Sequence, residues 1–118
     1  MVLVARLGEV AFLLSGDVEG EAEARLAVPP ALVVKVPHHA SRSSSAPRFV
    51  ASAGPRVAIA SLGARNPFGY PHPEVVARYR AAGALFLRTD RDGPVDVATD
   101  GSRLWVRTAG EALERRIR

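Results

Sequence analysis

The chain has 118 residues, 47% of them hydrophobic and 24% charged, with no cysteine and a formal net charge of +4. That length and balance fit one globular domain with a modest core and exclude disulfides, thiolate zinc sites and cysteine nucleophiles. No apolar run nears the roughly 20 residues that cross a membrane, and no signal-peptide layout opens the sequence, so this chain alone is expected to be soluble. Lys35 is its only lysine. Arginine therefore carries the positive charge. Its planar fork suits phosphate, which brings in nucleic acid as a partner class. GC-rich coding gives the same bias without any such partner.

Two apolar stretches, 2–6 and 9–14, flank Gly8 and predict a hairpin. The sequence is inside a strand by its second residue, which suggests a fragment or a domain whose first half lies elsewhere. Gly16-Asp17 closes the second strand. Residues 19–28 read as a helix, acidic at its start and carrying Arg25 near its end, and Pro29-Pro30 stops it. Residues 32–36 form a buried-strand pattern that Pro37 ends, because proline has no N–H for a sheet ladder. His38 and His39 follow directly, then a serine-rich run to Ser45.

Ala46-Pro47 opens a short helix over 47–53, ended by Gly54-Pro55. Residues 56–61 are a further buried strand, and 62–73 a proline-rich loop that holds His72. The spacing of Val75, Val76, Tyr79 and Ala82 predicts a helix over 73–82, with Gly83 as its C-cap. A strand over 84–89 leads to Asp90–Gly93, read as a turn with the Asp-Gly signal of a hairpin. Calcium does not suit it, since the other oxygen ligands are missing. Residues 95–98 and 104–108 flank a second hairpin at Asp100-Gly101, with Trp105 as a core or edge anchor, and 110–118 reads as a charged tail with a frayed helix. The order ββαβαβαβββ over residues 1–118 is one α/β domain, a sheet with helices on at least one face.

A strand, a helix and a second strand make a right-handed parallel pair, so both strand ends lie on one sheet edge. Asp17 and His39 stand just past two such ends. Metal-dependent catalysis needs oxygen and nitrogen ligands brought together in that way. Alone, Gly-Asp belongs to countless turns and a His-His pair is usually solvated.

Four motifs in this order are more specific. Leu-Leu-Ser-Gly-Asp stands at 13–17, Val-Val-Lys-Val-Pro-His-His-Ala-Ser at 33–41, Tyr-Pro-His-Pro-Glu-Val-Val at 70–76 and Arg-Thr-Asp-Arg-Asp-Gly at 88–93. Together, over about residues 2 to 108, they resemble the metallo-β-lactamase-like domain at the C-terminus of ComEC-type DNA-internalisation (competence) proteins. The resemblance implies an αβ/βα sandwich built of two similar halves, of which this chain would be the second, a mixed sheet with helices on one face. It also implies that Asp17 is the bridging aspartate and that His39, of the pair with His38, is the last histidine ligand. His72 and Ser41 would then lie beside the substrate.

Three departures accompany it, two of them single residues: Ala40 stands where the family usually has glycine, and Tyr70 where the first histidine of a His-Pro-His stretch usually lies. The family's His-x-His-x-Asp-His cluster does not occur in the chain. The resemblance thus implies an incomplete catalytic pair, Asp17 and His39. Zinc or manganese would be bound weakly, with Asp17, His38 and His39 as the metal residues, since Asp17 and His39 are only two of the three or four protein ligands that working zinc sites use. The isolated chain is expected to be inactive as a nuclease. The other function class is a non-enzymatic nucleic-acid-binding or structural module. Expected partners are DNA and either a second copy or a chain carrying the first half. No membrane is expected for this chain alone, although the family's full-length proteins lie in the bacterial cell membrane. Half a sandwich leaves one sheet face bare, with Val4, Phe12, Val34 and Ala58 or their neighbours upon it, so self-association is expected. The competing outcome is that the strands around Trp105 fold back over that face.

Overall fold

The computed structural model describes residues 2–16, 18, 20–40, 44–62, 71–108 and 112–116, with the backbone alone at 38–39 and 112–116. Strands β1 (Leu3–Leu7) and β2 (Val10–Leu14) form the expected antiparallel hairpin. β3 (Val33–Lys35), β4 (Val57–Ala60) and β5 (Leu85–Arg88) then add in parallel. The result is a mixed five-stranded sheet in the order β1-β2-β3-β4-β5. Helices α1 (Gly20–Ala24), α2 (Pro47–Ala53) and α3 (Pro73–Ala81) are the crossovers between the parallel strands.

Parallel strands are buried on both faces and read as continuous apolar runs. Val33 and Val34 in β3, and Val57 and Ala58 in β4, are all buried. On one face Leu13, Val34, Val36, Ala58 and Phe86 pack with Phe49 and Val50 of α2 and with Val75 and Tyr79 of α3. Val75 and Tyr79 are four apart, so one side of α3 faces the sheet. On the other face Val10, Val33, Val57 and Leu87 pack against Leu104 and Val106. Those two belong to a second, antiparallel sheet of β6 (Asp96–Thr99), β7 (Arg103–Arg107) and β8 (Ala112–Arg116). The C-terminal strands thus cover one face of the sheet, and the residues expected together on a bare face divide: Val34 and Ala58 lie against the helices, whereas Phe12 lies with Val33 on the face under Leu104 and Val106.

Three local expectations give way. The helix over 19–28 shortens to α1, and Leu26 and Val28 then pack on the core from outside any helix. They are two residues apart with Ala27 exposed between them, which is an extended rather than a helical period. Asp92-Gly93 makes no hairpin: residues Thr89–Asp92 form a short helix, α4, and β5 and β6 lie in different sheets. Residues 112–116 are not a frayed helix but the strand β8, paired along β7.

Candidate functional site

The four parallel strands β2 to β5 end on one edge, and the described parts of the quoted motifs stand there. Ser15, just past β2, donates its hydroxyl to the Lys35 carbonyl at the end of β3 at 2.5 Å. Gly16 follows with φ +57°, a left-handed turn that glycine adopts without strain. Asp17 itself lies outside the described residues. Past β3, Pro37–Ala40 make a 3₁₀ turn that carries His38 and His39, whose side chains lie outside the description. Ser41 also lies outside it.

His72 is brought to the same turn: its N–H donates to the Ala40 carbonyl at 2.9 Å. It is also the N-cap of α3, where its Nδ1 accepts the Glu74 N–H at 3.3 Å. That bond engages Nδ1 and not Nε2. Reaching the histidine turn and capping α3 are compatible tasks, because Pro73 fixes the first helical residue.

On the far side of the edge, Thr89 closes the ends of β4 and β5. Its hydroxyl accepts the Leu62 N–H at 2.7 Å and donates to the Leu62 carbonyl at 3.0 Å. Arg88 grips Asp90 with two bonds, Nε to Oδ1 at 3.0 Å and Nη2 to Oδ2 at 2.8 Å. Those bonds hold the Asp90 carboxyl below its ordinary range and raise the guanidinium further. The Arg88 N–H donates to Asp92 at 2.8 Å. Both carboxylates are therefore committed to Arg88. Among the described residues no three histidine, cysteine, aspartate or glutamate side chains could hold a metal ion; the side chains of Asp17, His38 and His39 are not among them.

Behind the histidine turn lies a buried network that sequence reasoning passed over. Glu23 is 4% exposed and accepts the N–H groups of Ser45 and Ala46 at 2.6 and 2.8 Å. Ser45 and Tyr79 share a hydrogen bond at 2.8 Å. Burial pushes the Tyr79 phenol well above its usual value, so it stays protonated. No local signal in the sequence marks these partners, since they lie 22 and 34 positions apart.

No family model matches the chain, and no solved structure does. Sequence relatives exist. The chain is 34% identical over 99 residues to ComE operon protein 3 of Bacillus subtilis, covering 80% of this chain and 13% of that protein. It is 34% identical over 97 residues to competence protein ComA of Neisseria gonorrhoeae, covering 78% and 14%. It is 31% identical over 110 residues to recombination protein 2 of Haemophilus influenzae, covering 92% and 14%. The chain thus spans a small part of the length of the curated relatives it matches. Among the described residues no helix is long and apolar enough to cross a membrane.

Proposed function

We infer that this relative of competence proteins has a role in DNA uptake, as the second half of a metallo-β-lactamase-like domain. The observation that carries the DNA-uptake part of the reading is the alignment with competence protein ComA and with ComE operon protein 3 over about four fifths of the chain. The common edge of β2 to β5 supports it, because the Gly16 turn, the Pro37–Ala40 turn and His72 all stand there. In this reading Asp17 and His39 are the incomplete catalytic pair, with His38 a third metal ligand. Ser41 and His72 serve the substrate. Zinc or manganese is held weakly, because two or three ligands without the first-half cluster do not close a site. DNA is the substrate class. The cluster would come from a companion chain carrying His-x-His-x-Asp-His.

The purified chain is expected to show weak heat on titration with Zn²⁺ or Mn²⁺, and no cleavage of single- or double-stranded DNA with either ion. Metal-dependent cleavage that vanishes in Asp17→Ala would overturn the reading of an incomplete site. DNA binding lost steeply with added salt, with no metal uptake, would instead favour an arginine-based phosphate-binding module.

A further inference from the structure

Ser45 is a buried residue with every polar group engaged, and it sits between the histidine turn and the helices. It is 0% exposed and its φ is +56°, in the left-handed region that disfavours any residue but glycine. Its N–H donates to Glu23 Oε2 at 2.6 Å. Its carbonyl accepts Arg78 Nη1 at 2.6 Å. Its hydroxyl meets the Tyr79 hydroxyl at 2.8 Å. The neighbouring Ser44 hydroxyl donates to the Pro37 carbonyl at 3.0 Å, at the first residue of the histidine turn. At the turn's last residue the Ala40 carbonyl takes the His72 N–H at 2.9 Å. His72 opens α3, the same helix that carries Arg78 and Tyr79. The turn is therefore tied at both ends to one framework.

A connection that only crosses the surface has no use for a buried carboxylate, which water would solvate at lower cost. Every other residue of α1 is exposed, while Glu23 turns inward to meet two N–H groups. A left-handed serine persists where its surroundings over-determine it. We propose that Glu23, Ser45 and Tyr79 form a latch that positions the Pro37–Ala40 turn, and with it His38 and His39. They are positioning residues. The functional meaning of the latch rests on the reading of that turn as the site, whereas its existence does not.

The test is amide hydrogen exchange on the full metal-free chain, comparing wild type with Ser45→Ala, Tyr79→Phe and Glu23→Gln. Val106→Ala, in the opposite core, is the control. The expected result in the three latch variants is exchange at the His72 N–H faster by about tenfold, the scale of one buried hydrogen bond lost. The backbone resonances of His38, His39 and Ala40 shift, while amides of β3 and β4 keep their protection. Val106→Ala lowers the unfolding midpoint without that selective change. If exchange at His72 rises only in step with β3 and β4, the latch is overturned and the network is ordinary core. Should Glu23→Gln fail to fold, Tyr79→Phe, which removes a single oxygen, decides the matter. A wild-type chain that binds neither metal nor DNA defeats the proposed function and leaves the exchange pattern as it was.

Discussion

Ala40 holds φ +62° and is 0% exposed, and this is the position where the resembled family usually has glycine. Replacing it by glycine relieves a left-handed alanine, worth about 1–2 kcal/mol. The change also removes a buried methyl, about 0.8 kcal/mol, and adds chain entropy to the unfolded state, about 0.5–1 kcal/mol. The opposing effects nearly cancel. Ala40→Gly is expected to move stability in urea by less than about 1 kcal/mol, so the departure from the family costs the fold little. Ala40→Val adds β-branching in the same left-handed conformation, and a loss above about 2 kcal/mol is expected in the same measurement. At Asp90 the sign of a pH effect follows from its bonds. Arg88 favours the ionised carboxylate in the folded chain. The stabilisation is therefore present above the unfolded carboxyl value of about 3.9 and is lost as pH falls through the lower folded value. Asp90→Asn is expected to cost about 1 kcal/mol at neutral pH, and its melting curve should converge on that of wild type in acid. A difference that persists undiminished at low pH would show that the carboxylate's charge is not what stabilises this end of β5.

Where two turns meet, the two sheets are joined. Glu9, in the β1–β2 turn, donates its N–H to the Gly101 carbonyl in the β6–β7 turn at 2.8 Å. A Cβ at Gly8 would stand 2.8 Å from that carbonyl oxygen and 2.9 Å from the Gly101 Cα, with φ already at +56°. Gly8→Ala is thus expected to lower stability by about 2–4 kcal/mol, combining left-handed strain with overpacking. Gly20→Ala, at φ +55° with nothing within 4 Å, carries the strain alone and should cost about 1–2 kcal/mol. Thermal unfolding of the two variants separates the contributions. Elements whose cause is local were legible from the residues. Gly8, Pro47, Gly54 and Pro73 bound their hairpin and helices as expected, and the buried runs of β3 and β4 follow from parallel pairing. Asp92-Gly93 misled because it signals a local turn, while the partner of the next strand is decided by sheet packing far away. Residues 112–116 became a strand for the same reason, since only pairing with β7 makes it one. The site shows the same division: the shared edge follows from crossover handedness, whereas the Ser45 network depends on bonds across 22 to 34 positions that no local pattern encodes.

At the scale of the molecule, the deciding feature is what covers the second face of the five-stranded sheet. Half a sandwich predicts a bare face and hence a second copy upon it. Leu104 and Val106 instead lie on Val10, Val33, Val57 and Leu87, so the place such a copy would take is filled from within the chain. Among the described residues the β1 edge stays open, and there Leu3, Val4 and Leu7 are 53%, 45% and 54% exposed. Edge strands of this kind invite pairing. A stable dimer needs roughly 1,200 Å² or more of buried surface, which five residues of edge do not supply by themselves. Sedimentation equilibrium at micromolar concentration is therefore expected to show one species near 12.6 kDa. Leu104→Asp places a charge in the buried contact between the sheets and should prise the β6–β8 sheet away. The uncovered valines then become the large apolar patch that monomers seldom expose, and the variant is expected to associate where wild type does not. Circular dichroism distinguishes this from general unfolding, since the parallel strands and α3 pack through the other core cluster and should keep their signal. A wild-type dimer at micromolar concentration, dispersed by Val4→Lys, would show that the β1 edge recruits a second copy without help from the face.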